Sequence, residues 1–547
     1  MLERELKLHV PFSARSAIAR YLRAHKARRV SLQARYFDTP NRDLAHAGIA
    51  LRLRKEGRRW VQTLKAPGTD VLSRLEINHV RPTPVLDVSL YAGTAVEAIL
   101  AGLPAPLTLR YETQVTRLVL RVESEGAEVE IAYDQGFIFA GEAELPVSEV
   151  EFEHVAGDVH GIFRVAGQWL QEYGLVLDTR SKAERGDALA GIALQATAMD
   201  DGRVNVATVA APDVTRLFPA RRAGPVRLKP KMSVTQAYLL TANECLAQVI
   251  QNAAFASGVD TQHASKSAHM EYIHQLRVGI RRLRSCWKLF RDWVPAADDA
   301  SIQVLRDGFA RLGDSRDTDV VTLVVGPKLR AAGMPECTFA RRRRSSQTED
   351  TVASGSDFQQ ALLAFLEQLV AVSDALHTPR MSPSAPESPK AETPETRPDE
   401  QATQAVPVPR NVKAALSPRL HGWLAKVAKQ GAKLTRLPIE KQHDVRKAVK
   451  TLRYCLDFSE GVLPGSKTLP LRALLSEIQE ELGDLNDYYV ADEHYQRLLE
   501  KQPQAWFAVG WLRAMQEQQR WKAQRLFKKL VKLEGTNAGR QAPKANR

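Results

Sequence analysis

The sequence predicts an α+β region built on an antiparallel sheet, followed by an all-α region. In the first region, short segments alternate charged with apolar residues, as between Leu51 and Arg54. A period of two is typical of strands with one charged and one apolar face. From Ser233 onward the apolar residues recur at spacings of three and four, which indicates helices packed on a core. A pattern of basic residues that occurs twice in these helices indicates an internal repeat.

The composition is that of a protein with several packed domains and no membrane segment. The 547 residues are 44% hydrophobic, which predicts two or three domains. No apolar run is long enough to span a membrane, and the chain reaches Glu3 without an apolar leader, so we expect a soluble, cytoplasmic protein. The cysteines favour reduced thiols over a disulfide or zinc framework, because they are far apart: Cys245, Cys286, Cys337 and Cys455.

The first predicted strand carries Glu3, Glu5 and Lys7 on one face. Carboxylates so close together need a counter-ion, and a divalent cation prefers such oxygen ligands. The lysine one step further along the strand could bind a phosphate group. The alternative interpretation is an edge strand whose charged face is solvated.

Seven further strands and two helices complete the first region. The helices are predicted over residues 11–29 and 158–172, and the strands over 33–38, 49–55, 59–65, 73–80, 115–122, 128–134 and 147–154. If the helices cover the apolar face of the sheet, its charged face lines an enclosed interior. Acidic and basic strands would then offset each other's cost of burial. A partly open antiparallel sheet would show the same pattern.

Seven motifs in a fixed order identify a family resemblance. They are Glu3-x-Glu5-x-Lys7, Tyr36-Phe37-Asp38-Thr39-Pro40, Leu51-Arg52-Leu53-Arg54, Thr63-Leu64-Lys65, Tyr133-Asp134-Gln135-Gly136, Glu149-x-Glu151-x-Glu153 and Ser181-Lys182-x-x-Arg185-Gly186. Over residues 1–195 the chain resembles the CYTH domain, the triphosphate tunnel metalloenzyme family, which includes bacterial inorganic triphosphatases. The resemblance implies an eight-stranded antiparallel barrel whose bore binds a linear triphosphate and a divalent metal, Mg²⁺ or Mn²⁺.

The resemblance also implies roles for individual residues. The implied metal ligands are Glu3, Glu5, Glu149 and Glu151, with Glu76 and Asp134 as further acids of the tunnel. The implied phosphate ligands are Lys7, Arg52, Arg54, Lys65, Arg117 and Lys182. Of these, Lys65 and Lys182 are the candidate catalytic residues, because either ammonium group could assist the leaving phosphate. No general base is assigned.

Charge is distributed unevenly along the chain. Acidic and basic residues balance over residues 1–195, so the net charge of +14 belongs to the remainder. An excess of positive charge predicts a polyanionic partner. We place the first domain at residues 1–200, a connector at 201–224, a helical domain at 225–535 and a basic disordered tail at 536–547. Residues 377–410 are rich in Pro, Ser, Thr and Glu and are predicted to be a disordered insertion.

The repeat in the helical region places basic residues at identical spacings in two helices. The first set is His274, Arg277, Arg281 and Arg284, and the second is His443, Arg446, Lys450 and Arg453. Each set falls within an arc of about 80° on a helix and forms what we call a basic ridge. Each ridge is followed by an acidic pair, Asp314 and Asp317 or Asp484 and Asp487, which is expected to orient the arginines. A solvated helix face is the alternative.

Residues 225–535 resemble the CHAD domain, the conserved histidine α-helical domain. That family implies two pseudo-symmetric helical bundles that bind inorganic polyphosphate. The expected function is a metal-dependent inorganic triphosphatase that converts tripolyphosphate to diphosphate and phosphate, with the two ridges binding long-chain polyphosphate. We expect neither a specific nucleic-acid ligand nor a membrane partner, and an association with polyphosphate granules in the cytoplasm. A class IV-like adenylate cyclase and a non-enzymatic polyphosphate-binding adaptor are the alternatives.

Overall fold

The computed structural model describes residues 2–68, 72–198, 217–313, 320–337, 347–377 and 409–539. Several predicted features lie outside these residues: most of the connector, the acidic pair Asp314 and Asp317, the Pro-rich tract over 378–408, and the tail from residue 540. Among the described residues, no helix combines the length and apolar character that a membrane crossing requires.

The N-terminal region is a closed antiparallel barrel of eight strands. In chain order they are β1 (Leu2–His9), β2 (Arg28–Asp38), β3 (Ala50–Glu56), β4 (Arg59–Pro67), β5 (Ser73–Arg81), β6 (Thr108–Ser124), β7 (Ala127–Ala140) and β8 (Ala143–Gly157). Their order in the sheet is β5-β4-β3-β2-β6-β7-β8-β1, and pairing of β1 with β5 closes the circle. This closure confirms the barrel and excludes the partly open sheet.

Strand β1 makes the closure because its two halves pair with different neighbours. Residues Leu2–Arg4 pair with β5, and residues Glu5–His9 pair with β8. A short strand β9 (Val176–Leu177) also pairs with the end of β1. The alternation along β1 then sends Leu6 and Leu8 into the apolar core and Glu3, Glu5 and Lys7 into the bore.

Helices pack against the barrel. They are α1 (Arg15–Ala24), α2 (Asp43–His46), α3 (Glu97–Ala101), α4 (Gly161–Tyr173) and α5 (Lys182–Ala198). Trp169 of α4 packs edge-on against Phe152 of β8, with 5.7 Å between ring centroids. The helix predicted over 11–29 is too long, because α1 ends at Ala24 and Lys26 takes a left-handed conformation with φ of 62° before β2 begins.

The elements of the C-terminal region are helices throughout its described residues, as expected. Its α-helices are α6 (Val234–Ala256), α7 (Lys266–Phe290), α8 (Asp299–Arg311), α9 (Gly326–Ala331), α10 (Gln347–Ser354), α11 (Ser356–His377), α12 (Val412–Gly431), α13 (Ile439–Phe458), α14 (Gly465–Gln496) and α15 (Trp506–Gly539), with a π-helix at Val320–Val325. Helices α6, α7, α8, α10 and α11 pack together, as do α12 to α15. The two groups meet where α7 contacts α13.

The barrel and the helical region share one hydrophobic core. Helix α11 lies against α4, and the side chain of its Gln359 accepts a hydrogen bond from the backbone N–H of Leu177 at 2.8 Å. Leu217 and Phe218, in the described part of the predicted connector, are buried in the same core. Experiments on the barrel therefore call for the intact chain.

Candidate functional site

The bore of the barrel is a charged cavity of about 580 Å³. Its walls carry both signs of charge, contributed by strands on opposite sides of the barrel. Every residue that the sequence suggested for the tunnel lines this cavity except Glu149, which is buried beside it: the lining residues are Glu3, Glu5, Lys7, Arg52, Arg54, Lys65, Glu76, Arg117, Asp134, Glu151 and Lys182.

Three buried carboxylates on neighbouring strands form a compact cluster. Asp134 of β7 is paired in register with Glu149 of β8, and Glu151 lies two residues further along the same face. Oxygens of all three lie within 4.8 Å of one another. The ammonium group of Lys182 contacts all three carboxylates, at 2.6 Å from Asp134 Oδ2 and 3.1 Å from Glu151 Oε1.

This cluster fits a divalent cation. Carboxylate oxygens are the ligands that Mg²⁺ and Mn²⁺ prefer. The three acids already stabilise one positive charge at this position, that of the Lys182 ammonium group. Burial lowers the pKa of Lys182. The negative charges of Asp134, Glu149 and Glu151 outweigh this effect, so the pKa is raised overall. Of the acids expected to bind metal, Glu149 and Glu151 belong to this cluster.

A second acidic group lies on β1 and β5. Burial raises the pKa of Glu3 to about 8, a hydrogen bond with Glu76 adds to the increase, and Lys65 opposes it. The Lys65 ammonium group lies 2.8 Å from Glu3 and 2.6 Å from Glu76. Burial also raises the pKa of Glu76. Three effects lower it overall: the hydrogen bond with Glu3, the charge of Lys65 and the charge of Arg52. At neutral pH this pair therefore retains a proton that additional positive charge would displace.

Glu151 has three cationic partners, Lys7, Arg117 and Lys182. Lys7 lies 2.8 Å from Glu151 and 2.8 Å from Glu5, so one ammonium group joins β1 to β8. Arg117 donates to both oxygens of Asp134 at 2.7 Å and to Glu151 at 2.5 Å. Burial raises the pKa of Glu151, but Lys182, Lys7 and Arg117 hold it well below its usual range.

Two arginines of β3 are less neutralised by acids. Arg52 donates to the hydroxyl of Tyr36 at 3.3 Å, and its buried Nε donates no hydrogen bond within the described part of the chain. Arg54 donates to Glu56 at 2.6 Å. Burial and then the neighbouring Arg52 lower the pKa of Arg54. Two guanidinium groups that repel each other in a bore form a suitable site for phosphate oxygens.

Comparison with protein families decides the identity of both regions. The family model for the CYTH domain matches residues 1–186, and the model for the CHAD domain matches residues 244–496. The chain carries a CYTH domain followed by a CHAD domain. The first match covers the barrel, and the second falls within the helical region.

Three relatives illustrate the similarity. The chain is 35% identical over 158 residues to the inorganic triphosphatase of Haemophilus influenzae, an alignment of 28% of this chain and 44% of that protein. The crystal structure of the Ricinus communis CHAD domain covers 60% of this chain and 98% of its own, with 22% identity and a TM-score of 0.39. A Hippeastrum protein, described as a candidate adenylyl cyclase with a dominant triphosphatase activity, covers 33% of this chain and 92% of its own, with 19% identity and a TM-score of 0.26. The chain thus spans less than half the length of the Haemophilus relative.

Several residues of the CYTH bore were not identified from the sequence. His9 continues the alternation of Glu3, Glu5 and Lys7 but is not one of the residues that line the bore, and burial lowers its pKa to about 4. Tyr36 and Tyr111 stack in the cavity wall with 4.7 Å between ring centroids. The other lining residues with polar side chains are Asp38, Arg42, Arg74, Thr113, Glu130, Ser181, Glu184 and Asp187, and Glu153, the third acid of the Glu149-x-Glu151-x-Glu153 motif, lines the cavity as well. Period-two counting along β7 would have found Glu130, whereas Arg42 and Asp187 lie in or beside helices and show no such signal.

The two basic ridges lie on α7 and α13 of the CHAD domain. Arg277 packs over the ring of Phe309 at 4.4 Å and donates to the backbone oxygen of that residue at 2.9 Å. Arg453 donates to Gln479 at 2.8 Å. Although the Arg284 side chain is exposed, partial desolvation of its guanidinium and then the nearby Arg306 lower its pKa. The ridges are therefore partly packed against neighbouring helices.

One ridge histidine differs from the expectation for a solvated side chain. Burial, and then the charges of Arg446 and Lys447, lower the pKa of His443 below its usual value of 6.5. Protonation of His443 therefore requires a lower pH than protonation of a solvated histidine does.

Proposed function

We propose that the CYTH domain is a divalent-metal-dependent triphosphatase that hydrolyses tripolyphosphate to diphosphate and phosphate. The observation that carries this proposal is the enclosed bore in which acids and bases from opposite strands converge. The similarity to an inorganic triphosphatase supports it.

Charge balance explains why a metal would be required. The tunnel residues proposed here comprise as many acids as bases, and most of the bases are already paired with acids. A triphosphate alone would add several negative charges to a buried site in which, of the proposed tunnel bases, only Arg52 and Arg54 are not paired with acids of the bore among the described residues, which is costly. A divalent cation that binds the acids would release Lys and Arg side chains to the phosphates.

The mechanism assigns each group a distinct task. Glu3, Glu5, Glu149 and Glu151 would hold Mg²⁺ or Mn²⁺, which would neutralise phosphoryl charge and activate a water molecule when bound. Lys7, Arg52, Arg54 and Arg117 would bind phosphate oxygens along the bore. Lys65 and Lys182 would stabilise the charge that develops on the leaving phosphate. The enclosed barrel would limit the access of bulk water to these charges.

One assay of the full-length chain tests this function. Purified protein is incubated with tripolyphosphate, ATP or thiamine triphosphate, with and without Mg²⁺ or Mn²⁺, and both phosphate and cyclic AMP are measured. We expect metal-dependent release of phosphate, fastest from tripolyphosphate. Formation of cyclic AMP would favour an adenylate cyclase, and inactivity on all three substrates would favour the adaptor.

Substitution of Arg54 tests the phosphate-binding role of β3. Arg54→Ala removes a guanidinium that donates a hydrogen bond to Glu56 at the end of the same strand. We expect the KM for tripolyphosphate to rise about tenfold with a smaller change in kcat, because the arginine binds the ground state and the transition state alike. Steady-state kinetics at saturating metal measure both constants. An unchanged KM would contradict the assignment.

We further propose that the CHAD domain binds long-chain polyphosphate through its two ridges. Polyphosphate carries about one negative charge per phosphate, so binding should release counter-ions and weaken with salt, by analogy with nucleic-acid backbones. The double variant Arg281→Ala/Lys450→Ala should lower affinity and reduce the slope of log affinity against log salt by about 1.5. Triphosphatase activity should stay unchanged.

A matched control and a competitor sharpen this test. Lys441 lies on the opposite face of α13 and is largely exposed, so Lys441→Ala should affect binding little. Fluorescence titrations with labelled polyphosphate at several salt concentrations measure affinity and slope. Equal competition by nucleic acid of the same charge would indicate a general polyanion surface, and an unchanged slope in the double variant would contradict the role of the ridges.

A further inference from the structure

The guanidinium group of Arg185 is held by both domains at once. Its Nη1 donates to Glu149 at 3.1 Å, inside the CYTH domain. Its Nε and Nη2 donate to the two oxygens of Asp260 at 2.9 and 2.8 Å, and Asp260 belongs to the CHAD domain. Arg185 and Asp260 are each only 3% exposed. A buried, bidentate pair of this kind fixes both position and orientation.

Asp260 is itself held in place by the turn that follows α6. Its backbone takes a left-handed conformation with φ of 60°. The preceding Val259 is buried against Val176 and Ala254, and its N–H donates to the backbone oxygen of Ala254 at 3.0 Å. The hydroxyl of Thr261 donates to the backbone oxygen of Phe255 at 2.6 Å. These contacts leave the carboxylate little freedom to follow a moving arginine.

Asp260 also binds a second arginine of the CYTH domain. Arg180 donates to Asp260 at 2.9 Å and to both oxygens of Asp178 at 2.9 and 2.7 Å. The rings of Phe218 and Phe255 lie 5.1 and 4.7 Å from its guanidinium carbon. Asp260 therefore bridges two buried arginines, one of which reaches a carboxylate beside the bore.

We propose that Asp260 of the CHAD domain is a positioning residue for the metal site of the CYTH domain. It holds the Nε and Nη2 edge of Arg185, so that only Nη1 faces Glu149. Glu149 thus keeps one carboxylate oxygen available to a cation bound by the cluster of Asp134, Glu149 and Glu151. This role rests on the metal site of the proposed function. It would make the two domains one functional unit rather than two independent activities.

The expected effect of losing Asp260 follows from the charges. Asp260→Asn removes the negative charge that neutralises Arg185 and leaves that arginine free to turn both its edges toward Glu149. The positive charge of Arg185, once it is no longer shared with Asp260, would compete with a divalent cation for the oxygens of Glu149. Loss of a group that orients a metal ligand typically costs between tenfold and a hundredfold in metal affinity.

The experiment measures Mn²⁺ binding to the full-length chain without substrate, from the electron paramagnetic resonance signal of free Mn²⁺. We expect Asp260→Asn to bind Mn²⁺ about tenfold more weakly than the wild type. The matched control is Asp374→Asn, which breaks another contact between the domains, the ion pair with Arg4 on the outer face of β1. That variant should bind Mn²⁺ as the wild type does.

A double variant separates positioning from a general loss of structure. In Asp260→Asn/Arg185→Gln, the arginine that competes for Glu149 is gone and the charge balance is restored, so Mn²⁺ affinity should recover toward that of Arg185→Gln alone. Equal affinity in the wild type and Asp260→Asn would overturn the proposal, as would a double variant no better than Asp260→Asn. A wild type that binds Mn²⁺ but leaves tripolyphosphate intact would defeat the triphosphatase proposal alone.

Discussion

Replacement of Glu5 by glutamine is expected to lower the turnover of tripolyphosphate about a thousandfold while the barrel stays folded. Glu5 lies on β1 with its carboxylate 2.8 Å from Lys7. Burial raises its pKa, but Lys7 and Lys65 lower it overall, so the group is an anion at neutral pH. Glutamine keeps the shape and loses the charge that binds a cation. A loss of this size is typical when a buried electrostatic contact to a reacting group is removed.

The fold of the Glu5→Gln variant should survive because its partner keeps another acid. Lys7 also lies 2.8 Å from Glu151, so the substitution does not leave a buried ammonium group unpaired. Glu112→Gln is the matched control, since Glu112 lies on β6, is partly exposed and pairs with Arg35 outside the bore. Turnover is measured by phosphate release at several metal concentrations. Full metal-dependent activity in Glu5→Gln would remove Glu5 from the site.

The sequence predicts the charged faces of the strands because alternation is a local property. Glu3, Glu5 and Lys7 share a face whatever lies opposite them, and so do Arg52 and Arg54. The resemblance to a family then supplied the closure of the barrel, which alternation alone left open. Charge patterns therefore identified most of the lining of the bore before any pairing of strands was known.

What the sequence did not predict depends on contacts between distant segments. Asp260 is a single acid in a turn, and no periodicity relates it to Arg185, which lies 75 residues earlier and in the other domain. The end of α1 depended on the left-handed conformation of Lys26, a residue type that rarely adopts it. The burial of Phe218 in a segment predicted to be a connector depended on packing against Phe255.

The contacts between the two domains should also contribute to the stability of the folded chain. Arg180→Ala is expected to lower the free energy of unfolding of the full-length chain by about 3–5 kcal/mol, the range for breaking one side of a buried ion pair. The guanidinium is 8% exposed and pairs with Asp178 and Asp260, which are 8% and 3% exposed. Burial raises the pKa of Asp178, and Arg180 lowers it overall, so the variant would leave that carboxylate charged and poorly compensated.

Urea unfolding of the full-length chain, followed by circular dichroism and by tryptophan fluorescence, measures this effect. Because the two domains share one core, both signals should move together to lower urea in Arg180→Ala. Arg121→Ala is the matched control, since Arg121 also pairs with two acids, Glu128 and Glu130, but is 59% exposed. Such surface pairs contribute about 0–1 kcal/mol. If the barrel and the helices unfolded in separate transitions and Arg180→Ala moved neither, the interface would not couple the two domains, and the path from Asp260 to Glu149 would lose its mechanical basis.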